Sequence, residues 1–298
     1  RRRRHNLISG VVLMKKEQVI ENGEERHHRC PGETYTISDS VCRGRQRVNY
    51  PKCNVCLDKV EPANFEQSVN ESKIITSIFK SYDIRGKYPE QLDDLTARKI
   101  GSSIAQFLKE GNPKAKNVVV GRDMRLSSKS LTNALIDGIC STGMNVVNIG
   151  IVSTEMTTFA VGHYNYDGGV MVTASHNSAE YNGFKICREQ AIPLSMETGI
   201  GRIAKLTQQY HPPRGEQLGK VVLSDVFKDY KRHVLRFVDS LRNVRVVVDA
   251  GNGMAGRTVP IVCEGLPVEI IPLYFELDGS FPNHDANPLV NENLRDLQ

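Results

Sequence analysis

Apolar positions along the chain follow two periods. Leu92, Leu95, Ile100, Ile104, Phe107 and Leu108 recur at helical spacing, and Gly111 can close that helix. Leu131, Leu135, Ile136 and Ile139 mark a second helix, with Ser127 or Ser128 as its N-cap and Gly143 beyond its end. Phe227, Tyr230, Val234, Val238 and Leu241 mark a third, with Ser224 as cap. Between them lie apolar runs of strand length at 117–121, 145–150, 168–172, 244–248 and 268–273. The run 74–79 is β-branched and apolar, and the segment 81–86 after it ends in a turn. Helices alternating with strands predict an α/β layered fold around a mostly parallel sheet.

Punctuation divides the chain. Residues 1–29 are basic and without clean periodicity, which predicts disorder. Residues 30–72 are Cys-rich and run into a polar, acidic stretch that reads as a linker. A first α/β domain spans 73–212. The loop-like His211-Pro212-Pro213-Arg214-Gly215 then opens a second at 213–298. In that domain, a strand, a glycine-rich turn (Gly251-x-Gly253-x-x-Gly256), a helix and a strand form a βαβ unit. The spacing fits a dinucleotide fingerprint, but glycines also serve any tight strand-to-helix turn. No acidic residue closes the next strand to hold a ribose, so a nicotinamide cofactor is not expected.

Composition adjusts this picture in two places. The 298 residues carry a net charge of +5. Residues 1–56 hold 12 Lys/Arg against 6 Asp/Glu, a net of +6, so the remainder has 27 against 28, a net of −1. The basicity belongs to the N-terminal segment, and nucleic acid is not an expected partner of the main body. Four of the seven cysteines, Cys30, Cys42, Cys53 and Cys56, crowd into that segment too. Cys53-x-x-Cys56 can present two thiolates to one Zn²⁺, with Cys30 and Cys42 completing a tetrahedral site. His27 and His28 are competing ligands, and free thiols in an extension without a fold are the other reading. Cys140, Cys187 and Cys263 sit in apolar surroundings as small core residues. No run reaches the roughly 18 apolar residues of a membrane span. A soluble, cytoplasmic protein without a membrane partner is expected.

Chemistry concentrates after the run 168–172. Thr173-Ala174-Ser175-His176-Asn177 puts a hydroxyl, an imidazole and a carboxamide on consecutive residues, and Asn182-Gly183 turns into a strand carrying Lys185. Read from the residues alone, Ser175 is a cap, a hydrolase nucleophile or a phosphate carrier. Adjacent Ser and His side chains diverge, and no G-x-S-x-G elbow is present, so a triad is disfavoured. Arg85, Lys185, Arg122 and Arg125 can neutralise phosphate charge, although local pairing with carboxylates is the simpler role for the last two.

Six segments then occur in a telling order: 82–86 (YDIRG), 120–123 (VGRD), 173–177 (TASHN), 181–186 (YNGFKI), 249–253 (DAGNG) and 278–284 (DGSFPNH). Over about residues 75–298 the chain resembles the α-D-phosphohexomutases, most closely their phosphomannomutase/phosphoglucomutase branch. The resemblance implies two three-layer α/β/α domains, the second incomplete, behind a small Cys-rich extension. It implies that Ser175 is carried as phosphoserine, gives its phosphoryl group to a hexose 1- or 6-phosphate, and regains one from the bisphosphate intermediate. His176, Lys185 and Arg85 would surround the reaction centre, and Tyr82, Arg85, Asn177 and Lys185 would bind the phosphosugar. A phosphoserine oxygen would ligate Mg²⁺. Phe184-Lys185-Ile186 leans away from the glucosamine branch.

The pattern departs from the family in two respects. Ser178 stands where the family usually has proline, which either loosens the turn or is tolerated. The DGDGDR loop that supplies three metal-binding aspartates is expected shortly after Leu297 and does not fall within these residues, nor do the third and fourth domains. A polypeptide of these residues alone is therefore expected to interconvert glucose 1- and 6-phosphate negligibly. A separate chain bearing those domains is a candidate partner. The alternative reading is a non-catalytic binding protein, a zinc-stapled basic module joined to a degenerate mutase domain.

Overall fold

The computed structural model describes residues 74–211 and 217–298 and, ahead of them, the backbone of five short strands. The chain forms two units, Arg1–Lys73 and Ile74–Gln298. In the first, β1 (Leu7–Ile8) pairs antiparallel with β2 (Val11–Val12). There β3 (Glu17–Val19), β4 (His27–Arg29) and β5 (Thr36–Ser38) make a small antiparallel sheet. The segment 1–29, expected to be disordered, thus has backbone strands at 7–8, 11–12, 17–19 and 27–29; the rest of it, the zinc reading of Cys30, Cys42, Cys53 and Cys56 and the linker lie outside the described residues.

The second unit is built on a seven-stranded mixed sheet. Its centre is four parallel strands in the order β9 (Gly168–Val172), β7 (Asn117–Arg122), β8 (Asn145–Ile151), β12 (Val221–Leu223). Beside β9 runs β10 (Tyr181–Arg188), antiparallel. The two ends of β10 pair with β6 (Ile84–Lys87) and β11 (Ile192–Pro193). Helices α1 (Asp94–Gly111), α2 (Ser128–Cys140) and α4 (Gly201–Gln208) cover one face, and α3 (Thr154–Tyr164) and the start of α5 (Phe227–Leu235) cover the other. The expected three-layer arrangement is thus present over the first domain.

The run Val118-Val119-Val120 shows why a central strand reads as uniformly apolar. Val118 and Val120 join Ile100, Ile104, Leu131 and Leu135 on one face, while Val119 joins Met156 and Val161 on the other. With helices on both sides, neither face of β7 meets water. Cys140 and Cys187 are buried as expected, and burial pushes their thiols up to about 12 and about 11 respectively, while Cys263 is half-buried. No helix among the described residues is long and apolar enough to cross a membrane.

The β-branched run 74–79 makes a 3₁₀ turn at Thr76–Ile78, with Ile78 and Phe79 drawn into the core and Phe79 meeting Ile84 in a single antiparallel bridge. Other local expectations change. Ser127 occupies the N-cap position of α2 without capping it. At α5 the Asp225 carboxylate, not Ser224, accepts the Phe227 N–H (2.9 Å). That helix stops at Leu235, short of the apolar periodicity that runs to Leu241.

After α5, β13 (Val244–Asp249), α6 (Ala255–Cys263) and β14 (Val268–Leu273) form the βαβ unit, its two strands parallel. The glycine-rich turn between β13 and α6 is packed by the chain itself. Asn283 Nδ2 donates to Asn252 Oδ1 (2.8 Å), and a Cβ on Gly251 would meet the His284 ring at 3.1 Å. His284 Nε2 lies 3.0 Å from the Asp249 carboxylate that ends β13.

Candidate active site

Residues 173–180 connect β9 to β10 at the C-terminal ends of the parallel strands, where ligands gather in α/β sheets. The loop follows a fully buried strand, so its base is fixed. Thr173 N–H donates to Gly183 O (3.0 Å), and Asp123 N–H donates to Val172 O (3.0 Å). Ser175 is exposed and has φ of 53°, in the left-handed region that non-glycine residues rarely adopt. Such a conformation costs about 1–3 kcal/mol and persists only where its surroundings enforce it.

Arg125 does the enforcing. Its guanidinium Nη2 donates to Ser175 O (2.9 Å) and Asn177 O (2.5 Å), and Nη1 donates to Ser178 O (2.7 Å) and Tyr181 O (3.0 Å). Nε stands 3.3 Å from Asp123 Oδ2. Asp123 in turn accepts the Arg125 N–H (3.0 Å) and the Ser128 hydroxyl. The Arg125 side chain is completely buried. Burial pulls its pKa below the ordinary arginine value, and Asp123 opposes that pull. Asn182 braces the far side of the loop, donating to Ser127 Oγ (2.8 Å) and Ser128 Oγ (3.0 Å). The serines expected to cap α2 are therefore used by the loop.

From behind, the 278–284 segment presses on the same arginine. The Phe281 ring lies 5.0 Å from the guanidinium carbon, in cation–π range, and a Cβ on Gly279 would collide with Arg125 Cα at 2.7 Å. The segment approaches this closely only because residue 279 has no side chain.

Two cations meet the loop from β6 and β10. Arg85 faces Gly183 in the ladder, where a Cβ would sit 2.0 Å from Ile84 O, so glycine lets the two strands come together. Arg85 Nη1 donates to Asn177 Oδ1 (2.6 Å), and its Nη2 donates to the buried Asp83 carboxylate (2.9 and 3.2 Å). Lys185 Nζ lies 3.5 Å from the same carboxylate. Asp83 thus gathers Arg85 and Lys185, leaving one net positive charge beside the loop.

Of the residues singled out from sequence, Arg85, Lys185 and Asn177 converge. His176 and Tyr82 are exposed, Tyr82 at 77%, and their side chains make no hydrogen bond among the described residues. Arg125 and Asp83, which organise the site, were not recognised as such. Both lie in motifs read from the sequence, but main-chain carbonyls as partners leave no trace in side-chain pattern.

Ser178 does not loosen the turn. Its carbonyl accepts Arg125 and also the Tyr181 N–H (3.1 Å). The Ser178 N–H has no hydrogen bond among the described residues. Ser178→Pro therefore removes no main-chain donor in use, gives up only the hydroxyl's contact with the exposed Glu180 carboxylate, and is expected to raise stability by about 0.4–1 kcal/mol by restricting the unfolded chain. Chemical denaturation of the two proteins checks this; a loss of stability would mean that the backbone at 178 rejects a proline.

Comparison with known proteins places these features in a family. The family model described as phosphoglucomutase/phosphomannomutase, alpha/beta/alpha domain I, matches residues 76–212. The model for alpha/beta/alpha domain II of the same family matches residues 228–298. A phosphomannomutase of Vibrio cholerae is 38% identical over 221 residues, which is 72% of this chain and 48% of that protein. A protein of Xanthomonas campestris named as phosphohexose mutases is 41% identical over 217 residues, covering 72% of this chain and 47% of its own. Among solved structures, a phosphoglucomutase/phosphomannomutase family protein of Burkholderia thailandensis superposes with a TM-score of 0.67 at 34% identity, over 75% of this chain and 49% of that one. The chain spans about half the length of the curated relatives it matches.

Proposed function

The chain belongs to the phosphoglucomutase/phosphomannomutase family, and from that premise we propose that it carries the phosphoryl-transfer half of a phosphohexomutase, with Ser175 as the carrier. The observation that supports this most is the loop itself: an exposed serine held in a left-handed conformation by Arg125, with Arg85 and Lys185 assembled beside it on Asp83.

In the forward step the phosphoserine Oγ–P bond breaks. A P–O bond forms to a free hydroxyl of a hexose 1- or 6-phosphate, and the hydroxyl proton goes to the released Ser175 Oγ. The resulting hexose bisphosphate reorients. Its other phosphoryl group then passes to Ser175 Oγ, whose proton goes to the released sugar oxygen. Phosphoryl transfer depends chiefly on positioning and on neutralising the charge of the equatorial oxygens. Arg85 and Lys185 supply that charge, and Arg85 also offers a planar donor array suited to phosphate. Asn177, tied to Arg85, fixes the loop relative to it. His176, exposed next to Ser175, and Tyr82 stand free to meet the sugar phosphate.

Mg²⁺ is the metal such a reaction takes, and it favours several oxygen ligands in near-octahedral geometry. No group of three His, Cys, Asp or Glu side chains among the described residues could hold a metal ion. The acid beside the loop, Asp83, is occupied by Arg85 and Lys185. These residues alone do not make a Mg²⁺ site, and the steps above assign them positioning and charge only. The test is whether Ser175 accepts a phosphoryl group from a hexose 1,6-bisphosphate.

A further inference from the structure

A concavity of about 490 Å³ lies at the same C-terminal end of the sheet, and none of the loop residues 173–180 line it. It opens at the C-terminal ends of β7 and β8. The connection after β7 leads to α2 on one face of the sheet, and the connection after β8 leads to α3 on the other. Adjacent strands whose connections part to opposite faces leave a crevice, and open α/β sheets bind ligands at such points. The volume falls in the range of about 300–1,000 Å³ typical of small-molecule sites.

Its walls set polar and charged side chains beside the apolar Ile149 and Leu223. Arg122 ends β7; Lys129, Thr132 and Asn133 come from the first turns of α2; Asn148 and Gly150 come from β8; and Ser224 and Asp225 precede α5. Arg122 is half-buried, and the one hydrogen bond of its guanidinium among the described residues goes to a main-chain oxygen, Asp123 O (3.2 Å). The Asp123 carboxylate is taken by Arg125 and Ser128. Lys129 has no partner among the described residues. Asn148 Oδ1 accepts the Gly150 N–H (2.9 Å), which leaves its amide nitrogen as a donor. The buried hydroxyl of Thr132 has no hydrogen-bond partner.

Burial lowers the Arg122 pKa, Asp123 offsets part of this, and Arg257 nearby lowers it further. The Arg122 and Arg257 guanidinium groups are thus close enough to repel. Asp225 is the lone acid on the wall, and one of its oxygens is committed to the Phe227 N–H. The lining therefore carries Arg122 and Lys129 against Asp225, with Arg257 adding a further positive charge. A half-buried guanidinium whose neighbouring carboxylate, Asp123, is already engaged by Arg125 and Ser128 gains from an anion that completes it.

We propose that this crevice is a second anion site, separate from the Ser175 loop, which takes a small phosphate dianion on Arg122 and Lys129. Asp225, Asn133 and Ser224 stand where hydroxyls of a phosphate ester would reach, so a phosphorylated polyol fits the lining more fully than inorganic phosphate does.

Calorimetric titration of the 298-residue protein tests this, in an Arg85→Gln/Lys185→Gln background that removes phosphate binding at the catalytic loop. The expected result is one equivalent of sn-glycerol 3-phosphate bound in that background. Adding Arg122→Gln is expected to weaken binding about tenfold or more, and adding Lys129→Gln, on an exposed helix position, by several-fold. Asp225→Asn keeps the oxygen that Phe227 uses and is expected to tighten inorganic phosphate. Tighter binding of the ester than of inorganic phosphate assigns the site to a phosphorylated polyol, and equal binding assigns it to phosphate itself. No binding in the double-variant background, or binding that neither Arg122→Gln nor Lys129→Gln changes, overturns the proposal. If Arg122→Gln fails to fold, as judged by circular dichroism, Lys129→Gln decides.

Discussion

Arg125→Met is expected to destabilise the protein by about 3–5 kcal/mol, the range for removing one partner of a buried ion pair. For a domain of this size that is a fall in melting temperature of roughly 6–20 °C. The substitution leaves a similar apolar volume under the Phe281 ring but takes away the donors to Ser175 O, Asn177 O, Ser178 O and Tyr181 O. Buried carbonyls without donors are costly one by one, and here they lie on a single loop, so the losses are not independent. Asp123 keeps the Arg125 main-chain N–H and the Ser128 hydroxyl but loses its counter-charge. Thermal unfolding followed by circular dichroism gives the number. Arg125→Lys should recover little, because an ammonium cannot reproduce a planar fork serving four acceptors. If Arg125→Met melts within a degree or two of the parent, the loop is not held as described.

Lys185→Met is expected to slow phosphoryl transfer to or from Ser175 by about 10²–10³-fold, the usual penalty for losing one group that stabilises developing charge. Melting should change little, since Lys185 is about one-third exposed and its contact with Asp83 is 3.5 Å long. Asp83→Asn separates charge from position. It retains Arg85 and Lys185 but removes the carboxylate that orients both, and misplacement on the ångström scale costs about 10²-fold. Single-turnover transfer from a hexose 1,6-bisphosphate reads both variants. Equal transfer by parent and Lys185→Met would exclude Lys185 from the charge-neutralising role.

Much of this site was legible in the chain. An apolar run ending in Thr-Ala-Ser-His-Asn, followed by Asn-Gly and a strand bearing Lys185, locates a loop and its cation. Strand alternation then delivers Lys185 to the open face while Phe184 and Ile186 go to the core. Arg85 was legible through its motif. What holds the loop was not. Arg125 bonds carbonyls that every residue possesses, some 50 positions away, so nothing in the side-chain pattern marks its partners. Ser127 and Ser128 resemble caps for the ordinary reason that serine favours helix starts, yet Asn182 claims both hydroxyls. The α3 helix escaped because its buried face is Met156, Thr157, Ala160 and Val161, small and partly polar, with no clear apolar stripe. The 74–79 run shows packing overriding local composition. Its β-branched composition suits a pleated strand, but packing of Ile78 and Phe79 into the core overrode that preference.

The central claim is that Ser175 carries the phosphoryl group. Peptide mapping by mass spectrometry, on the purified protein before and after incubation with a hexose 1,6-bisphosphate, tests it most directly. The account predicts one phosphoryl group, located on Ser175 and absent from Ser175→Ala. A phosphoryl group on another residue, labelling that persists in Ser175→Ala, or no labelling of the parent protein would contradict it.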